Sequence, residues 1–479
     1  MPESDTPASE AARVRSRLGY PVVDADGHIV ESLPVLIETI RGLAGSGVAD
    51  RLAGTSKTFA SRSGTPGEKV AKEGMAPVEG QPIEPWWALP TNTLDRATGF
   101  LPRLLHERLD ELGIDFSILY PSVGLACVGS PDDALRRASA RAINLYLAES
   151  LDGLGDRLTA AAVIPTHTPE EAIEELEYAI ETLGFRAAMF NSFVERPLPA
   201  GSRRSHWVDL LALDSPYDYD PLWQRCVDLG VAVTVHSSSQ GIGLRQSSSR
   251  YMFNHIGNFA ASSEAFAKAL FFGGVLKRFP TLHFGFLECG VGWGAQLLND
   301  LIDRWKKRGG KNIDELDPAR ADADHWDTLM QRYGGKTFAA PEMRRATWGQ
   351  SDNPPLERDD FREAGVEGPE DIAACFDRFF FGCEADDCSV PQAFARATNP
   401  AGTALQPVFG SDLGHWDVRD MTEILPEAAE LLDDGLVSAD DFRRFVNENP
   451  IRLHAGMNPR FFEGTCVEAE AHTIMASRR

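Results

Sequence analysis

What most constrains this chain is a set of eight short apolar runs bounded by turn residues, at 22–28, 115–121, 159–165, 185–191, 231–236, 282–289, 379–383 and 408–412. Between several of them, as at 170–183 (EEAIEELEYAIETL), 221–229 and 295–306, apolar residues recur three and four positions apart, the period of a helix that buries one face. The runs are apolar throughout instead of alternating with polar residues, which is the pattern of strands covered on both sides. Together these features predict an α/β fold in which a parallel sheet closes as a (β/α)8 TIM barrel; an open doubly wound sheet is the alternative.

The chain's 479 residues fit one such domain, 1–479, with its core at about 20–462 and a loosely held tail beyond. Two stretches break the rhythm. Residues 42–99 are rich in Gly, Ser and Pro and carry Trp86 and Trp87, and residues 307–368 are strongly charged. Both read as long loops inserted at strand-to-helix connections, where loops of such length serve as lids or binding loops; a tether or an oligomer contact is the other reading.

Charge narrows the partners. With 47 Lys and Arg against 71 Asp and Glu the net charge is −24, which repels duplex nucleic acid and anionic membranes at long range. A small-molecule substrate is expected, with no nucleic acid and no membrane. No run approaches the roughly 18 apolar residues of a membrane span, and the opening residues lack a secretory signal's apolar stretch, so the expected location is cytoplasmic. Seven cysteines with no CxxC pair argue against a disulfide framework and against a thiolate zinc site.

Barrel enzymes do their chemistry at the C-terminal ends of the strands, so the polar residues that end the apolar runs are the candidates. The first run ends VVDADGH, placing Asp24, Asp26 and His28 at alternating positions expected to share one side, with Glu31 just beyond. His236 ends the fifth run, Glu288 the sixth and Asp412 the eighth. A lone Asp or His at a strand end is an ordinary cap or turn residue. Four strands ending in metal-capable side chains at the one place a barrel gathers them point to a divalent ion, zinc, manganese or iron, one or two in number.

The segments VVDADGH, VTVH, GVLKRFPTLHFGFLECGVGW and VFGSDLGHWDV, with RLDELGIDFSILYPS and FVNENPIRL, resemble the amidohydrolase-related family (amidohydrolase 2), which includes aminocarboxymuconate-semialdehyde decarboxylase and aromatic-acid decarboxylases. The likeness runs over about 20–462 and implies a barrel of the metal-dependent hydrolase type. It places His28, His236 and Asp412 at metal-ligand positions, Asp26 where a histidine is usual, and Glu288 where the strand-six histidine is usual. Asp26, His28, His236, Glu288 and Asp412 are therefore the expected metal set.

The leading expectation is hydrolysis of a small organic amide, ester or ring compound by metal-activated water. In that scheme Asp412 moves the proton, and Glu288 and His415 are the other catalytic candidates, His415 holding either Asp412 or the substrate. The alternatives are nonoxidative decarboxylation of an organic or aromatic acid, a dinuclear iron or manganese hydroxylase that activates dioxygen, and a catalytically silent barrel serving as a partner subunit. His255 and Glu384 are expected near the substrate and Glu31 behind His28. Arg245, Arg250 and Arg419 are candidates to catch a carboxylate, and Trp86, Trp87, Trp293 and Trp416 to form an apolar wall. His283 and Cys289 read as packing residues. Relatives of this type imply a homo- or hetero-oligomer.

Overall fold

The computed structural model describes residues 8–53, 89–90, 92–202, 205–239, 242–351 and 359–477. Trp86 and Trp87, and with them most of the first insertion, lie outside the described residues.

All eight apolar runs form strands: β1 (Val23–Ile29), β2 (Phe116–Pro121), β3 (Leu158–Ile164), β4 (Ala187–Phe190), β7 (Val233–Val235), β8 (Phe284–Phe286), β9 (Phe379–Cys383) and β10 (Gln406–Phe409). They pair in parallel in the order β1-β2-β3-β4-β7-β8-β9-β10, a nearly closed TIM barrel. Every residue of β1, β2, β4, β7, β8 and β9 is buried, as expected for a sheet with helices outside and side chains filling the inside. Phe379 meets the rings of Phe284 and Phe286 edge-on at 6.1 and 5.2 Å, and each such buried ring contributes roughly 1.5–3 kcal/mol. The antiparallel pair β5 (Val194–Pro197) and β6 (His206–Asp209) was not expected, because VERP and HWVD are short and partly exposed and carry no apolar pattern.

Helices occupy the expected intervals. Pro169–Glu177 begins at Thr168, whose hydroxyl accepts the Glu171 N–H, and Gly292–Arg308 follows β8. The second insertion is not a loop at a strand-to-helix connection. It begins where the 17-residue helix Gly292–Arg308 ends, on the way back to β9, and contains the helices Ala323–Tyr333 and Pro341–Ser351. The tail is also held: helix Glu468–Ala476 buries Ala471 and Ile474, which sit three apart on one helical face. No helix among the described residues is long and apolar enough to cross a membrane.

β1 and β10 meet at a seam tied at the C-terminal end. The Asp412 N–H donates to the Asp26 carbonyl at 3.0 Å, and the His28 N–H to the Leu413 carbonyl at 3.0 Å. Fully buried Asp24 completes the closure, accepting from the Ser411 N–H at 2.9 Å, the Ser411 hydroxyl at 2.8 Å, the Ser117 hydroxyl at 2.5 Å and the Asp26 N–H at 3.1 Å. Asp24→Ala strands several buried donors at once and should cost about 3 kcal/mol in urea unfolding. A loss below about 1 kcal/mol would show that the seam does not rely on this carboxylate.

Candidate metal centre

The pairing of β1 with β2 slips between Asp24 and Gly27, where three steps along β1 face two along β2. This bulge breaks the alternation read from VVDADGH. Asp24 is held by the seam and does not join Asp26 and His28, contrary to the expectation that all three share a side.

Asp26, His28, His236, Glu288, Asp412 and His415 converge. The Nε2 of His28 lies 3.6 Å from Asp26 Oδ1 and 3.2 Å from Asp412 Oδ1, and the Nε2 of His236 lies 3.7 Å from Asp26 Oδ1 and 3.2 Å from Glu288 Oε2. His415 Nδ1 is 2.6 Å from Asp412 Oδ1, and its ring stacks on that of His28 at 3.7 Å. Two overlapping sets have ligand atoms all within 4.8 Å of one another: Asp26, His28 and His236, and His28, Glu288, Asp412 and His415.

The backbone is unusual where two of these carboxylates sit. Glu288 (φ 47°) and Asp412 (φ 48°) both adopt the left-handed region in the turns that follow their strands, two and three residues beyond Phe286 and Phe409, at a cost of about 1–2 kcal/mol each for a residue with a Cβ. Close packing holds these turns. A Cβ on Gly382 of β9 would stand 2.8 Å from Leu287 Cα and 3.0 Å from the Glu288 nitrogen, so only glycine lets β9 approach this turn.

Burial pushes the carboxyls of Asp26, Glu288 and Asp412 well above the usual range, and neighbouring carboxylates push the same way. Burial holds His28 and His415 well below the ordinary histidine value, helped by the neighbouring histidines. Asp26 Oδ1, both ring nitrogens of His28 and of His236, Glu288 Oε2 and both Asp412 oxygens are buried without a hydrogen-bond partner. Left so, each such group costs about 1–3 kcal/mol, and a dication among oxygen and imidazole donors removes that penalty. The donor set thus fits a divalent metal.

The surroundings differ in part from expectation. Glu31 does not support His28: its two carboxylate oxygens accept the Val123 and Gly124 N–H groups at 2.9 and 3.0 Å, bracing the turn after β2. His255 closes the short helix Tyr251–His255, with Nε2 3.9 Å from Asp417 Oδ2 and its ring 5.5 Å from that of Trp416. Glu384 lines both clefts at the mouth. The larger, about 460 Å³, is lined by His255, Phe259, Glu288, Trp293 and Glu384 among others. The smaller, about 290 Å³, is lined by Glu384, Asp412, Asp417 and Arg419 among others. Arg245 and Arg250 line neither cleft and donate instead to the Ile256 and Ser249 carbonyls.

Sequence reasoning missed Ser122, whose hydroxyl lies 3.0 Å from His415 Nε2, and Tyr120, whose hydroxyl donates to Thr234 at 3.0 Å beneath His28 and His236. Tyr120 lies in the second run and Ser122 just beyond it, and the rule applied to the other strand ends finds them there. Asp417, two residues beyond His415, was also passed over.

The sequence profile of the family described as Amidohydrolase matches residues 93–346. The chain belongs to the amidohydrolase family. Over 170 residues this amidohydrolase is 31% identical to gamma-resorcylate decarboxylase of a Rhizobium species; the match covers 32% of this chain and 48% of that enzyme, so the chain spans about half the length of this relative. Its fold is similar to that of an amidohydrolase from Mycobacterium avium subsp. paratuberculosis (TM-score 0.52, 17% identity, 91% of this chain and 99% of that one). It is also similar to a dihydroxybenzoic acid decarboxylase from a Polaromonas species, solved with bound manganese and the inhibitor 2-nitroresorcinol (TM-score 0.51, 16% identity, 91% and 97%).

Glu31 supplies a pH signature. Burial raises its carboxyl from 4.5 to about 7 despite the opposing backbone N–H groups. Because the folded value is the higher one, its contribution to stability is fully present below about pH 4.5 and is lost as pH rises through about 7. Across that window wild type should lose about 3 kcal/mol more than Glu31→Gln in matched urea melts. Parallel pH profiles for the two proteins would refute this.

Proposed function

We propose that this amidohydrolase is a metal-dependent decarboxylase that removes carbon dioxide nonoxidatively from a small organic or aromatic acid, with Asp26, His28, His236 and Asp412 holding a divalent cation. The observation that carries the reading is the buried, hydrogen-bond-starved donor set at the ends of β1, β7 and β10. The likeness to gamma-resorcylate decarboxylase favours decarboxylation over the hydrolysis that led the sequence reading. The manganese in the Polaromonas enzyme supports Mn²⁺ as the ion to test first.

A divalent ion held there would supply an electrophile for a carboxylate and a neighbouring phenol or enol oxygen. The chain's own residues do the rest. The His415–Asp412 pair, 2.6 Å apart and deep in the mouth, is placed to deliver the proton that replaces carbon dioxide on carbon. Ser122 fixes the far side of the His415 ring. Phe259, packed edge-on to His236 at 4.8 Å, and Trp293 give the larger cleft apolar surface suited to a ring.

The test is carbon dioxide release from gamma-resorcylate and related hydroxybenzoates by the full chain loaded with Mn²⁺. His236→Ala should lower metal affinity and activity together, by about 100-fold or more. Metal bound normally, no carbon dioxide from any acid in the panel and turnover of aryl esters or amides instead would return the assignment to hydrolysis.

A further inference from the structure

We propose that the loop and short helix after β7, residues 242–257, form a self-association surface that seats a second copy of this chain beside the mouth of the barrel.

The sequence there is unlike the rest of the chain. Residues 229–263 contain no Asp or Glu, although the chain has 71 of them, and the charges in that stretch are Arg245 and Arg250. Four large apolar side chains stand out into solvent from it: Leu244 is 96% exposed, Ile256 67%, Phe253 58% and Met252 40%. Met252 and Ile256 lie four apart on one side of the helical turn, where the Ile256 N–H donates to the Met252 carbonyl at 3.0 Å, and Phe253 is beside them. Arg245 Nε donates to the Ile256 carbonyl at 3.2 Å, which ties the chain at Leu244 to the end of the helix. Single exposed apolar residues are ordinary, whereas a group of them with polar borders marks a contact surface.

The group is held in place. Asn254 is buried, and its side chain clips the loop to the helix: Oδ1 accepts the Ser247 N–H at 2.7 Å and Nδ2 donates to the Ser247 carbonyl at 2.9 Å. The Ser247 hydroxyl in turn accepts the Arg250 N–H at 2.9 Å. Turning the apolar side chains inward would break these bonds, so another molecule must cover them.

Charge selects which molecule. Two chains of net charge −24 repel each other, and they approach with least repulsion through a face that has no carboxylate of its own. Carboxylates begin at the border of that face. Asp417 lies 3.9 Å from His255, and Asp386 and Asp387 share the larger cleft with His255 and Ile256. A two-fold axis through the patch sets the apolar side chains of two copies against one another at the centre. It also turns Arg245 and Arg250 of each copy towards the acidic border of the other. An apolar centre with a charged rim is how stable interfaces are built. Because His255 and Ile256 line the larger cleft, a copy seated here also forms part of the entrance to the site.

The experiment is sedimentation velocity on the full chain over an about 100-fold range of concentration, with urea melts to show that each variant folds. Wild type is expected to sediment as a dimer. Leu244→Asp, Phe253→Asp and Ile256→Asp should each raise the dimer dissociation constant by about 30-fold or more. Leu244 is almost wholly in solvent, so Leu244→Asp keeps the test in force if a helix substitution unfolds the chain. Arg250→Glu and added salt should weaken the dimer too. A wild type that stays monomeric throughout overturns the proposal, whatever else binds the patch. A dimer unmoved by all three apolar substitutions shows that the copies meet elsewhere and overturns it as well. A dimer weakened by those substitutions yet indifferent to Arg250→Glu and to salt keeps the surface and overturns the pairing of its arginines with the acidic border. None of these readouts uses turnover, so the result stands apart from the decarboxylase reading.

Discussion

The seam between β1 and β10 is the interaction on which the rest depends. A barrel closes only if its last strand finds its first, and here the two are tied at the C-terminal end by backbone bonds from Asp412 to Asp26 and from His28 to Leu413, with the Asp24 carboxylate between. The residues on either side of that tie are the candidate metal donors. Closing the barrel therefore also builds the site. Asp26 and His28 arrive from one edge and Asp412 and His415 from the other, so an error in register would separate His28 Nε2 from Asp412 Oδ1, which lie 3.2 Å apart.

Much of this was legible in the sequence because it depends on patterns that act over a few residues. Continuous apolar runs mark strands buried on two faces, and all eight were placed. The rule that chemistry gathers at strand ends then put His236, Glu288 and Asp412 beside Asp26 and His28, which the structure brings together. What the sequence hid depends on backbone detail or on distant partners. The slip after Asp24 is invisible in VVDADGH, since a bulge changes no residue, only the alternation. Glu31 lies near His28 in the chain, yet its partners are backbone N–H groups in the turn after β2, which no spacing reveals. The second insertion was read as a mouth loop because its charge was plain, while its place after a helix was not.

Left-handed backbone at Glu288 and Asp412 is a further case. Aspartate enters that region more readily than most residues and glutamate does not, and both positions follow apolar strands that give no warning. Their neighbours carry the explanation. The Cys289 and Gly290 N–H groups both donate to the Gly382 carbonyl, at 3.2 and 2.9 Å, and the Asp412 N–H is fixed by the seam. Local strain of about 1–2 kcal/mol persists where surrounding bonds over-determine it, and here it coincides with two of the buried carboxylates.

These carboxylates also bear on how an acid could reach this site at all. A net charge of −24 and a rim bearing Glu384, Asp386 and Asp417 disfavour approach of an anion. Arg419 lines the smaller cleft, while Arg245, half-buried, and Arg250, exposed, are engaged with backbone carbonyls elsewhere. Among the described residues, Arg419 is thus the fixed positive charge that the two clefts offer a carboxylate, and the proposed metal ion would add to it. On the proposed reading the metal ion would therefore serve substrate binding as well as chemistry: a dication at the donor set would lower the electrostatic barrier that the acidic side chains at the mouth raise against an anion.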